Sequence, residues 1–578
     1  MSDEGRLERL TSMMRRRGII LPSFEIYGGV SGLIDYGPVG ARIKRKVVQS
    51  WIDHWTSHGD IVEIDSPSIT PKEVLVASGH VGEFNDYMSE CISCEAIFRS
   101  DHLIEGLHPS PDSISGIEID EVISENNVPC PNCGEFGWSP ARPMNLMFPT
   151  TIGAMRGGRE AFMRPETAQG MFMLYPSLYR HFKQKLPFGA LQTGRGYRNE
   201  ISPRQGMIRL REFNMAELEY FIDPEDPPEV DLRDWKTAVS LVPDPDGGQS
   251  GNHNITFSEA LDGGIIKHPT VAWFMARTWD FLVAIGVDSS KIRFRQHTGT
   301  EMAHYASDCW DCEIFGEYGW IECVGIANRT CHDLESHEEH SGTNLLRGWR
   351  QYSQPILVKR DVLSPNGSVI GPMFKGKASD VSDALSGLQE IPEEMPFSLE
   401  IADGSSVEIT PEMVTRRAEE VNVHGEWFTP HVVEPAFGID RIIWHVIDHA
   451  FNESGKSGEE YTILSLDENV APFDVSVLPL FDKDGMDGIA RKLASEINRI
   501  PGIKADIDTS RSIGRRYARA DEIGIPWAIT VDHSTVDDGT VTIRRRDDQM
   551  QIRVPMEMAI ECLRTRSLDS MFLSLIHI

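Results

Sequence analysis

The sequence predicts a multidomain protein of mixed α and β structure. Its 578 residues are enough for two to four domains, and a charged fraction of 25% with a hydrophobic fraction of 40% is ordinary for a folded chain. Residues 185–221 have the pattern of a long β-hairpin. From residue 461, short strands alternate with helices of about 10–15 residues, which is typical of a compact α/β domain.

The composition excludes several classes of protein. No apolar run approaches about 18 residues, so no membrane-spanning helix is predicted. The start of the chain, MSDEGRLERLTSMMRRRG, lacks the hydrophobic core of a secretion signal. We therefore expect a cytoplasmic protein with no membrane partner. The net charge of −32 argues against indiscriminate coating of nucleic acid, and no DNA partner is expected, although a local basic surface is compatible with it.

The first predicted elements are a helix over residues 38–58 and an extended stretch over residues 60–65 that stops before Pro67. Apolar side chains at four-residue steps give the helix one hydrophobic face, formed by Ile43, Val47, Trp51 and Trp55. The pattern is that of an amphipathic helix and strand. Such a pair can also build a subunit interface.

Residues 91–140 are interpreted as an insertion that carries a metal site. A cysteine pair stands at each end of a polar middle that is predicted to be poor in structure, and the four cysteines are Cys91, Cys94, Cys130 and Cys133. Four thiolates in two CxxC pairs are typical of a closed tetrahedral Zn²⁺ site. A metal-free loop is the alternative, because 35 residues separate the pairs.

The hairpin at 185–221 carries residues suited to a nucleotide. Alternate residues of a strand share a face, so its two strands and loop exit are predicted to present one platform of polar and aromatic side chains: Arg198, Glu200, Arg209, Phe213 and Glu217. Guanidinium groups fit phosphates, an aromatic ring stacks on adenine, and a carboxylate accepts the adenine amine. A surface hairpin with charge pairs is the alternative.

Two further motifs combine an arginine with a carboxylate. RPETAQG, residues 164–170, places Arg164 and Glu166 around a proline, and its carboxylate is a candidate to hold an ammonium group. GWIECVGIANRTCHDLESH, residues 319–337, places Glu322 and Arg329 on either side of a predicted glycine-containing bend, which suits Mg²⁺ and phosphate. For each motif alone, a structural ion pair is the alternative.

A fourth motif is VVEPAFGIDRIIWHVIDHAF, residues 432–451. A strand is predicted to end at Pro435, and a helix follows the bend at Gly438, with Arg441 in its first turn. An arginine at the positive end of a helix is electrostatically unfavourable, which indicates an external anion. Pairing of Arg441 with Asp440 is the alternative.

Together these motifs resemble those of class II aminoacyl-tRNA synthetases. The helix and strand before Pro67 resemble motif 1, the run Tyr197-Arg198-Asn199-Glu200 resembles motif 2, and Arg441 occupies the position of motif 3. RPETAQG, RNEISPRQGMIRLREFNMAELE, RFRQHTGTEMAHYASDCWDCE and SIGRRYARADEIGIPWAITVD resemble one member closely, the archaeal/eukaryotic-type glycyl-tRNA synthetases. The likeness covers nearly the whole chain apart from two insertions.

The resemblance implies a homodimer with an antiparallel catalytic sheet flanked by helices and a C-terminal α/β anticodon-binding domain with a mixed sheet. It also implies ATP with Mg²⁺, glycine and tRNA(Gly) as the reactants. The expected segments are catalytic parts at 1–90, 141–340 and 426–460, a zinc-binding insertion at 91–140, a second insertion at 341–425 and the anticodon-binding domain at 461–578.

The resemblance further implies roles for individual residues. Catalytic residues are expected to be Arg198, Glu200 and Arg441. ATP is expected to contact Arg198, Glu200, Arg209, Phe213, Glu322, Arg329 and Arg441, with Arg209 and Arg329 on the γ-phosphate. Glycine is expected to contact Arg164, Glu166, Glu217, Glu434 and Ala436. Two positions depart from the family: Ala436, where a serine is common, and Asn328, where an aspartate is usual.

Two other functions remain to be weighed. A catalytically inactive, synthetase-like tRNA-binding protein would typically lack the arginines of motifs 2 and 3, which are present here. A synthetase for serine, proline or threonine is disfavoured by RPETAQG together with Glu217. In the C-terminal domain, basic residues interleaved with aromatics fit anticodon contact, and a solvated charged face is the alternative; they are Arg511, Arg515, Arg516, Tyr517, Arg519, Trp527 and Arg544–Arg546.

Overall fold

The computed structural model describes residues 4–108, 111, 114–154, 157–201, 203, 206–245, 251–299, 307–388, 392, 395–456 and 459–576. The chain divides into two compact units, one formed by Met1–Leu346 with Thr429–Ile578 and the other by Arg347–Phe428. Parts of the motifs quoted above lie outside the described residues, namely 300–306 and, in the hairpin loop, 202, 204 and 205.

A sheet of nine strands, counted over the described residues, organises the larger unit. In spatial order its strands are His253–Ile255, Val239–Val242, Ile292–Gln296, Asp308–Gly316, Gly319–Thr330, His431–Gly438, Glu212–Ile222, Phe188–Tyr197 and Ile61–Glu63. Six of its eight strand pairings are antiparallel and two are parallel. The expected antiparallel sheet is therefore confirmed, with parallel strands added near its two edges.

Helices cover both faces of this sheet. On one face, the helices Gly40–Thr56, Pro269–Ala284 and Ile439–Ala450 enclose a core that includes the predicted apolar face of the first helix. On the other face, the helix Ala168–His181 packs Tyr175 against Phe221 at a centroid distance of 5.0 Å. Phe213 and Glu217, which line the cavity described below, alternate along the strand with Phe221 and project from the same face.

Two strands that flank the expected insertion, Asn85–Glu90 and Arg142–Asn145, form a small sheet with the strand Ile97–Arg99 inside it. The middle of the insertion was predicted to be poor in structure. This is wrong for residues Gly116–Glu125, which form a helix. The side chain of Ser115 accepts from the backbone of Glu118, and the carboxylate of Glu118 accepts from the backbone of Ser115, so this capping box defines the start of the helix. Burial of Ile119 and Ile123 holds it in place.

The C-terminal domain has the predicted alternation of strands and helices. Its strands, in spatial order, are Ala505–Ile507, Val475–Pro479, Trp527–Val531, Thr540–Arg545 and Gln551–Pro555. The first three are parallel and the last two antiparallel, which confirms the mixed sheet. Its helices are Met486–Ile497, Ile513–Glu522, His533–Asp538, Met556–Arg564 and Leu568–Ile576.

The second unit, Arg347–Phe428, is built on a long antiparallel pair, Gly348–Pro365 with Val414–Phe428. A shorter pair, Phe397–Glu400 with Ser406–Ile409, and the helices Gly367–Phe374 and Ala378–Ser386 enclose a small apolar core. Across the described ranges of both units, no helix combines the length and the apolar character that crossing a membrane requires.

The N-terminal helix Glu4–Arg16 leads into a short antiparallel pair, Ile20–Pro22 with Ile34–Tyr36. This pair joins the first core helix where Gly40 touches the chain near Ile19. A Cβ atom at Gly40 would lie 1.9 Å from the carbonyl oxygen of Ile19. The close approach therefore requires glycine at this position.

Replacing Gly40→Ala should lower the free energy of unfolding by about 1–3 kcal/mol, because a backbone carbonyl must move to admit the methyl group. Urea denaturation measures this change. The matched control is Gly59→Ala just beyond the same helix, where a Cβ atom meets nothing within 4 Å and a change within about 0.5 kcal/mol is expected. Equal effects of the two substitutions would contradict the proposed crowding.

Candidate active site

A cavity of about 180 Å³ opens where the hairpin meets the strand His431–Gly438 and the helix that follows it. Among the residues that the structure describes, its lining includes eight of the predicted site residues: Arg198, Glu200, Arg209, Phe213, Glu217, Glu322, Ala436 and Arg441. The four motifs are therefore not explained as four separate surface ion pairs. Three of them contribute side chains directly to one cavity.

The alternation predicted that Arg198 and Glu200 lie on the first hairpin strand. This prediction is wrong, because the strand ends at Tyr197 and both residues follow it. The backbone N–H of Arg198 still donates to Arg211 at 2.9 Å, which continues the pairing by one residue. The Arg198 guanidinium donates to the carbonyl of Pro165 at 3.3 Å and lies 5.3 Å from the ring centroid of Phe213. Its position at the cavity is thus fixed by both strands and by the RPETAQG motif.

Phe213 lies flat because the residue directly opposite it is Gly196. A Cβ atom at Gly196 would come within 2.7 Å of the Phe213 ring. Close by, one carboxylate oxygen of Glu200 is buried and accepts no hydrogen bond from the described residues. An aromatic face and a free acceptor therefore line the same cavity, which suits a flat heterocycle with an amino group. Arg209, at the loop exit, makes a 2.8 Å contact from Nη1 to His102 Nε2.

Two predicted breaks in the strands are wrong. The strand His431–Gly438 continues through Pro435, and Gly325, where a bend was predicted, lies inside the continuous strand Gly319–Thr330. Pro435 has no N–H to donate, and the sheet accommodates it. It pairs with Ile326 in the strand Gly319–Thr330, while the pairing with the strand Glu212–Ile222 is interrupted at this residue. Pairing with neighbouring strands therefore keeps Pro435 and Gly325 in extended conformation, although both residue types often end a strand.

Arg441 stands in the first turn of the helix Ile439–Ala450, as predicted. Its Nη1 donates to the carbonyl of Glu322 at 2.7 Å, and its Nε donates to the carbonyl of Ile208 at 3.1 Å. Asp440 is not its partner, because Asp440 accepts two hydrogen bonds from Asn214, at 2.6 and 2.9 Å, and one from Tyr36. The interpretation of Arg441 as half of a local ion pair with Asp440 is therefore excluded.

A buried group of carboxyls adjoins the cavity around one guanidinium. The Arg329 side chain binds Asp333 through Nε at 2.7 Å and Nη2 at 2.9 Å, and binds Glu434 through Nη1 at 2.7 Å. The predicted site residues that do not line the cavity are Arg164, Glu166, Arg329 and Glu434. The expected contact of Arg329 with a γ-phosphate finds no support in this geometry, since its guanidinium faces carboxylates.

The carboxyls of this group differ in electrostatic state. Burial, together with the nearby Glu434 and Glu166, raises the pKa of Glu217 to about 8. Burial alone would raise the pKa of Glu166 as well, but His80, 3.3 Å away, and Arg329 outweigh it and lower that pKa. Burial also raises the pKa of Glu434. The group therefore has more carboxyls than cations and favours the entry of a positive charge.

Local contacts hold these carboxyls in place. Glu217 accepts from the backbone N–H of Thr167 at 2.6 Å and from its hydroxyl at 2.5 Å. Glu166 accepts from Gln169 at 2.8 Å. Arg164 donates to the carbonyls of Ser66 and Arg195, at 2.9 and 3.0 Å, and so anchors the RPETAQG segment to the sheet.

Sequence reasoning missed Glu219, which is fully buried two residues after Glu217 on the same strand face. Neither of its carboxylate oxygens finds a hydrogen-bond partner among the described residues, and burial raises its pKa well above the usual value. The signal that could have found it is the Glu-x-Glu alternation at 217–219. Asp333 was missed because it acts only through its pairing with Arg329.

Comparison with known proteins decides the family. Residues 151–241 match the tRNA synthetase class II core domain (G, H, P, S and T), and residues 474–566 match the anticodon binding domain. The chain is 44% identical to a glycine–tRNA ligase of Methanothrix thermoacetophila, over 97% of this chain and 96% of that one. It is also 44% identical to one of Archaeoglobus fulgidus, over 95% of each. The chain belongs to the glycine–tRNA ligase family.

The fold is shared more widely. A solved structure of a Giardia lamblia prolyl-tRNA synthetase in complex with prolyl-adenylate matches with a TM-score of 0.50 at 12% identity, over 97% of this chain and 75% of that chain. The family resemblance inferred from the motifs and the class II architecture are thereby confirmed.

The four predicted metal-ligating cysteines of this family member come together. The sulfur atoms of Cys91, Cys94, Cys130 and Cys133 lie within 4.8 Å of one another. The separations Cys91–Cys133 and Cys94–Cys130 are both 3.7 Å, close to the edge of about 3.8 Å that a tetrahedron with Zn–S bonds of about 2.3 Å would have. The Asn132 amide donates to Cys94 at 3.4 Å; this hydrogen bond, with those from the backbone of Ala96 and the neighbouring thiols, lowers the pKa of the Cys94 thiol to about 6.

Several arginines of the anticodon-binding domain support its fold. Arg544 makes two 2.9 Å bonds to the buried Asp521, and Arg516 donates to the carbonyl of Thr509 at 2.7 Å. Arg511 and Arg515 are exposed on the same segment. Arg516 and Arg544 are therefore buried and do not lie on a solvated charged face, whereas Arg511 and Arg515 remain at the surface.

Substituting Arg329→Met should lower the free energy of unfolding by about 3–5 kcal/mol, because Glu434 and Asp333 would lose a buried counter-ion. Chemical denaturation measures this loss. The control is Arg233→Met, since Arg233 pairs with Asp231 at a surface where their side chains are 85% and 57% exposed; a change below about 1 kcal/mol is expected there. A loss at Arg329 no larger than the control would show that the buried pairing contributes nothing to stability.

Proposed function

We propose that this chain ligates glycine to tRNA(Gly). It activates glycine with ATP to form glycyl-adenylate, and it then transfers the glycyl group to the 3′ end of the tRNA. The observation that carries the proposal is the single cavity, in a member of this family, where Arg198, Arg441 and Phe213 meet the buried carboxyl Glu217. No protein nucleophile is needed, because positioning and charge neutralisation suffice for both steps.

ATP is assigned to the hairpin end of the cavity. Phe213 and Arg441 enclose the adenine, and the free oxygen of Glu200 accepts its amino group. Arg198 holds the α-phosphate, for which its fork geometry is suited. Arg209 takes the γ-phosphate from the loop exit. Glu322, with a side chain 53% exposed beside Arg441, is the carboxylate that would hold Mg²⁺; the ion would supply charge neutralisation at the phosphates.

Glycine is assigned to the carboxyl group adjoining this cavity. Its ammonium group supplies the missing cation to Glu166, Glu217 and Glu434, and that charge offsets the unfavourable burial of the ionised forms of Glu217 and Glu434. Ala436 lies directly opposite Glu217 in the sheet. Side chains larger than hydrogen would have to displace these carboxyls, which disfavours other amino acids. Arg164 and Arg329 position the carboxyls and do not touch the reacting atoms.

The two chemical steps follow from these positions. A glycine carboxylate oxygen attacks the α-phosphorus, and the bond to the β-phosphate oxygen breaks, so that pyrophosphate leaves with the electron pair. In the second step, the oxygen of a 3′-terminal ribose hydroxyl bonds to the glycyl carbonyl carbon, and its proton passes to a phosphate oxygen of the adenylate. The bond from that carbon to the bridging phosphate oxygen breaks, and AMP leaves with the electron pair and the proton. Arg198 offsets the charge that develops at the α-phosphate in both steps.

The proposal includes a structural Zn²⁺ ion and a cytoplasmic homodimer. The four-sulfur geometry fits zinc, and such an ion would fix the two cysteine turns without entering the reaction. The homodimer is supported by a short N-terminal segment that exposes three large apolar side chains, Phe24, Ile26 and Tyr27, at 58%, 90% and 85%. A second copy of the chain would remove this surface from water.

Purified protein should contain about one zinc ion per chain, and Cys130→Ser should remove it and lower the melting temperature of the insertion, because the metal closes its two turns. Metal analysis by mass spectrometry and thermal unfolding measure these effects. Cys562→Ser, in the C-terminal domain and outside the cluster, serves as the control. Full zinc content in Cys130→Ser, or metal-free protein of unchanged stability, would remove zinc from the proposal.

The function is tested by ATP–pyrophosphate exchange with each of the twenty amino acids. Exchange with glycine alone is expected. No exchange with any amino acid would support the inactive tRNA-binding alternative instead. Exchange with serine, proline or threonine would assign the chain to another substrate.

Replacing Arg198→Ala should reduce glycine-dependent exchange by at least about 100-fold, because one guanidinium at the transition state is worth several kcal/mol. The matched control is Arg195→Ala, three residues earlier on the same hairpin, whose side chain pairs with Glu212 and is 55% exposed. Circular dichroism should show both variants folded. Loss of fold in Arg198→Ala, or equal exchange in both variants, would contradict the proposed contact with ATP.

A further inference from the structure

His80 is a nearly buried histidine to which the proposed mechanism gives no task. It begins the short helix His80–Glu83, directly after Gly79. Gly79 has a φ of 79°, which residues with a side chain rarely adopt, and this lets the chain turn sharply after the helix Lys72–Ala77. The turn brings Nε2 of the His80 ring to 3.3 Å from Oε2 of Glu166. A segment distant in the chain therefore touches a carboxyl of the proposed glycine site.

The surroundings of His80 hold its ring in one position. Nδ1 lies 2.8 Å from the hydroxyl oxygen of Ser78, and the carbonyl of His80 accepts from the Asn145 amide at 3.2 Å. The ring packs against Phe84 at a centroid distance of 5.4 Å. Only 12% of the side chain is exposed. The contact with Glu166 is thus part of a fixed arrangement and not a chance approach of a surface side chain.

The chemistry of the contact places a hydrogen on Nε2 of His80. Burial alone would raise the pKa of Glu166, but His80 and Arg329 outweigh it and lower that pKa. An ionised carboxylate only accepts hydrogen bonds, so the nitrogen that faces it carries a hydrogen in either protonation state of the imidazole. The other oxygen of Glu166 accepts from Gln169 at 2.8 Å. Two carboxylate oxygens offer about four acceptor sites, so these two contacts leave room for an ammonium group.

Glu166 differs in this respect from the two carboxyls beside it. Burial raises the pKa of both Glu217 and Glu434, so their ionised forms are less favourable before a cation arrives. The ammonium group of glycine therefore meets one carboxylate that is already ionised and oriented. That carboxylate is the one in contact with His80.

We propose that His80 is a positioning residue for glycine, because it holds Glu166 in the orientation in which the carboxylate receives the ammonium group. The inference rests on the proposed function and deepens it, since it concerns the binding of the substrate amine. His80 itself contacts neither glycine nor ATP. ATP binding and the transfer to tRNA do not depend on it.

The first test compares kinetic constants in ATP–pyrophosphate exchange. In His80→Ala the KM for glycine should rise by at least about tenfold, because a buried charged group that loses a polar partner is affected on this scale. The kcat and the KM for ATP should stay within about twofold of wild type. Glu83→Ala, an exposed residue at the other end of the same short helix, is the matched control and should leave all three constants unchanged. An unchanged KM for glycine, or a parallel change in all three constants, would overturn the proposal.

Two conservative variants keep the test decisive if His80→Ala does not fold. The amide of His80→Gln can place an N–H where Nε2 stood, opposite Glu166, and should restore much of the glycine affinity. The shorter amide of His80→Asn reaches the position of Nδ1, beside Ser78, and should not. Circular dichroism checks the fold of each variant. Equal KM values for glycine in these two variants would contradict the role of the Nε2 contact.

A double-mutant cycle tests whether His80 acts through Glu166. Glu166→Gln should itself raise the KM for glycine, and the addition of His80→Ala should then change that KM by less than about twofold, because two residues that act through one contact do not add. Full additivity would overturn the proposal.

Calorimetric titration with glycine alone gives a readout that does not depend on turnover. His80→Ala should bind glycine at least about tenfold more weakly than wild type. If wild type binds glycine but shows no exchange, the proposed function has failed, and the ratio of the two affinities still decides the role of His80. Equal affinities would reject that role alone, and a wild type that does not bind glycine would reject both.

Discussion

The register of the central sheet is the constraint on which the site depends. Antiparallel pairing sets Glu217, Ala436, Gly325 and Asp311 in one row across four strands. Because directly paired residues share a face, this row brings the carboxyls of Glu217 and Asp311 and two small residues together although they come from distant parts of the chain. A slip of one residue in any pair would turn half of the row towards the apolar core on the opposite face.

Much of the fold follows from periodicity in the sequence. The four-residue apolar steps of the first core helix, the hairpin, and the alternation after residue 461 all correspond to elements of the structure, since each pattern is long enough to outweigh local exceptions. The failures concern single residues. Pro435 and Gly325 are typical of breaks, yet both lie inside strands whose neighbours hold them. The helix Gly116–Glu125 was missed because a polar composition concealed a capping box and two buried isoleucines.

The candidate site was predictable in its chemistry and less so in its geometry. Residue types and spacing were enough to select the arginines, the aromatic ring and most of the carboxyls. They could not show that Arg329 is enclosed by Asp333 and Glu434, because burial and side-chain direction depend on the packing of separate strands. Glu219 was overlooked for the same reason: its importance comes from the absence of hydrogen-bond partners among the described residues, which no linear pattern reveals.

The contact between Arg209 and His102 joins two parts of the molecule that otherwise have separate tasks. His102 belongs to the segment that follows the first cysteine pair, and Arg209 lines the cavity at the hairpin. The shape of the cysteine-bearing insertion therefore sets the resting position of this arginine. A disturbance confined to the insertion, such as oxidation of its thiols, would first displace an arginine of the cavity, while the sheet beneath kept its fold.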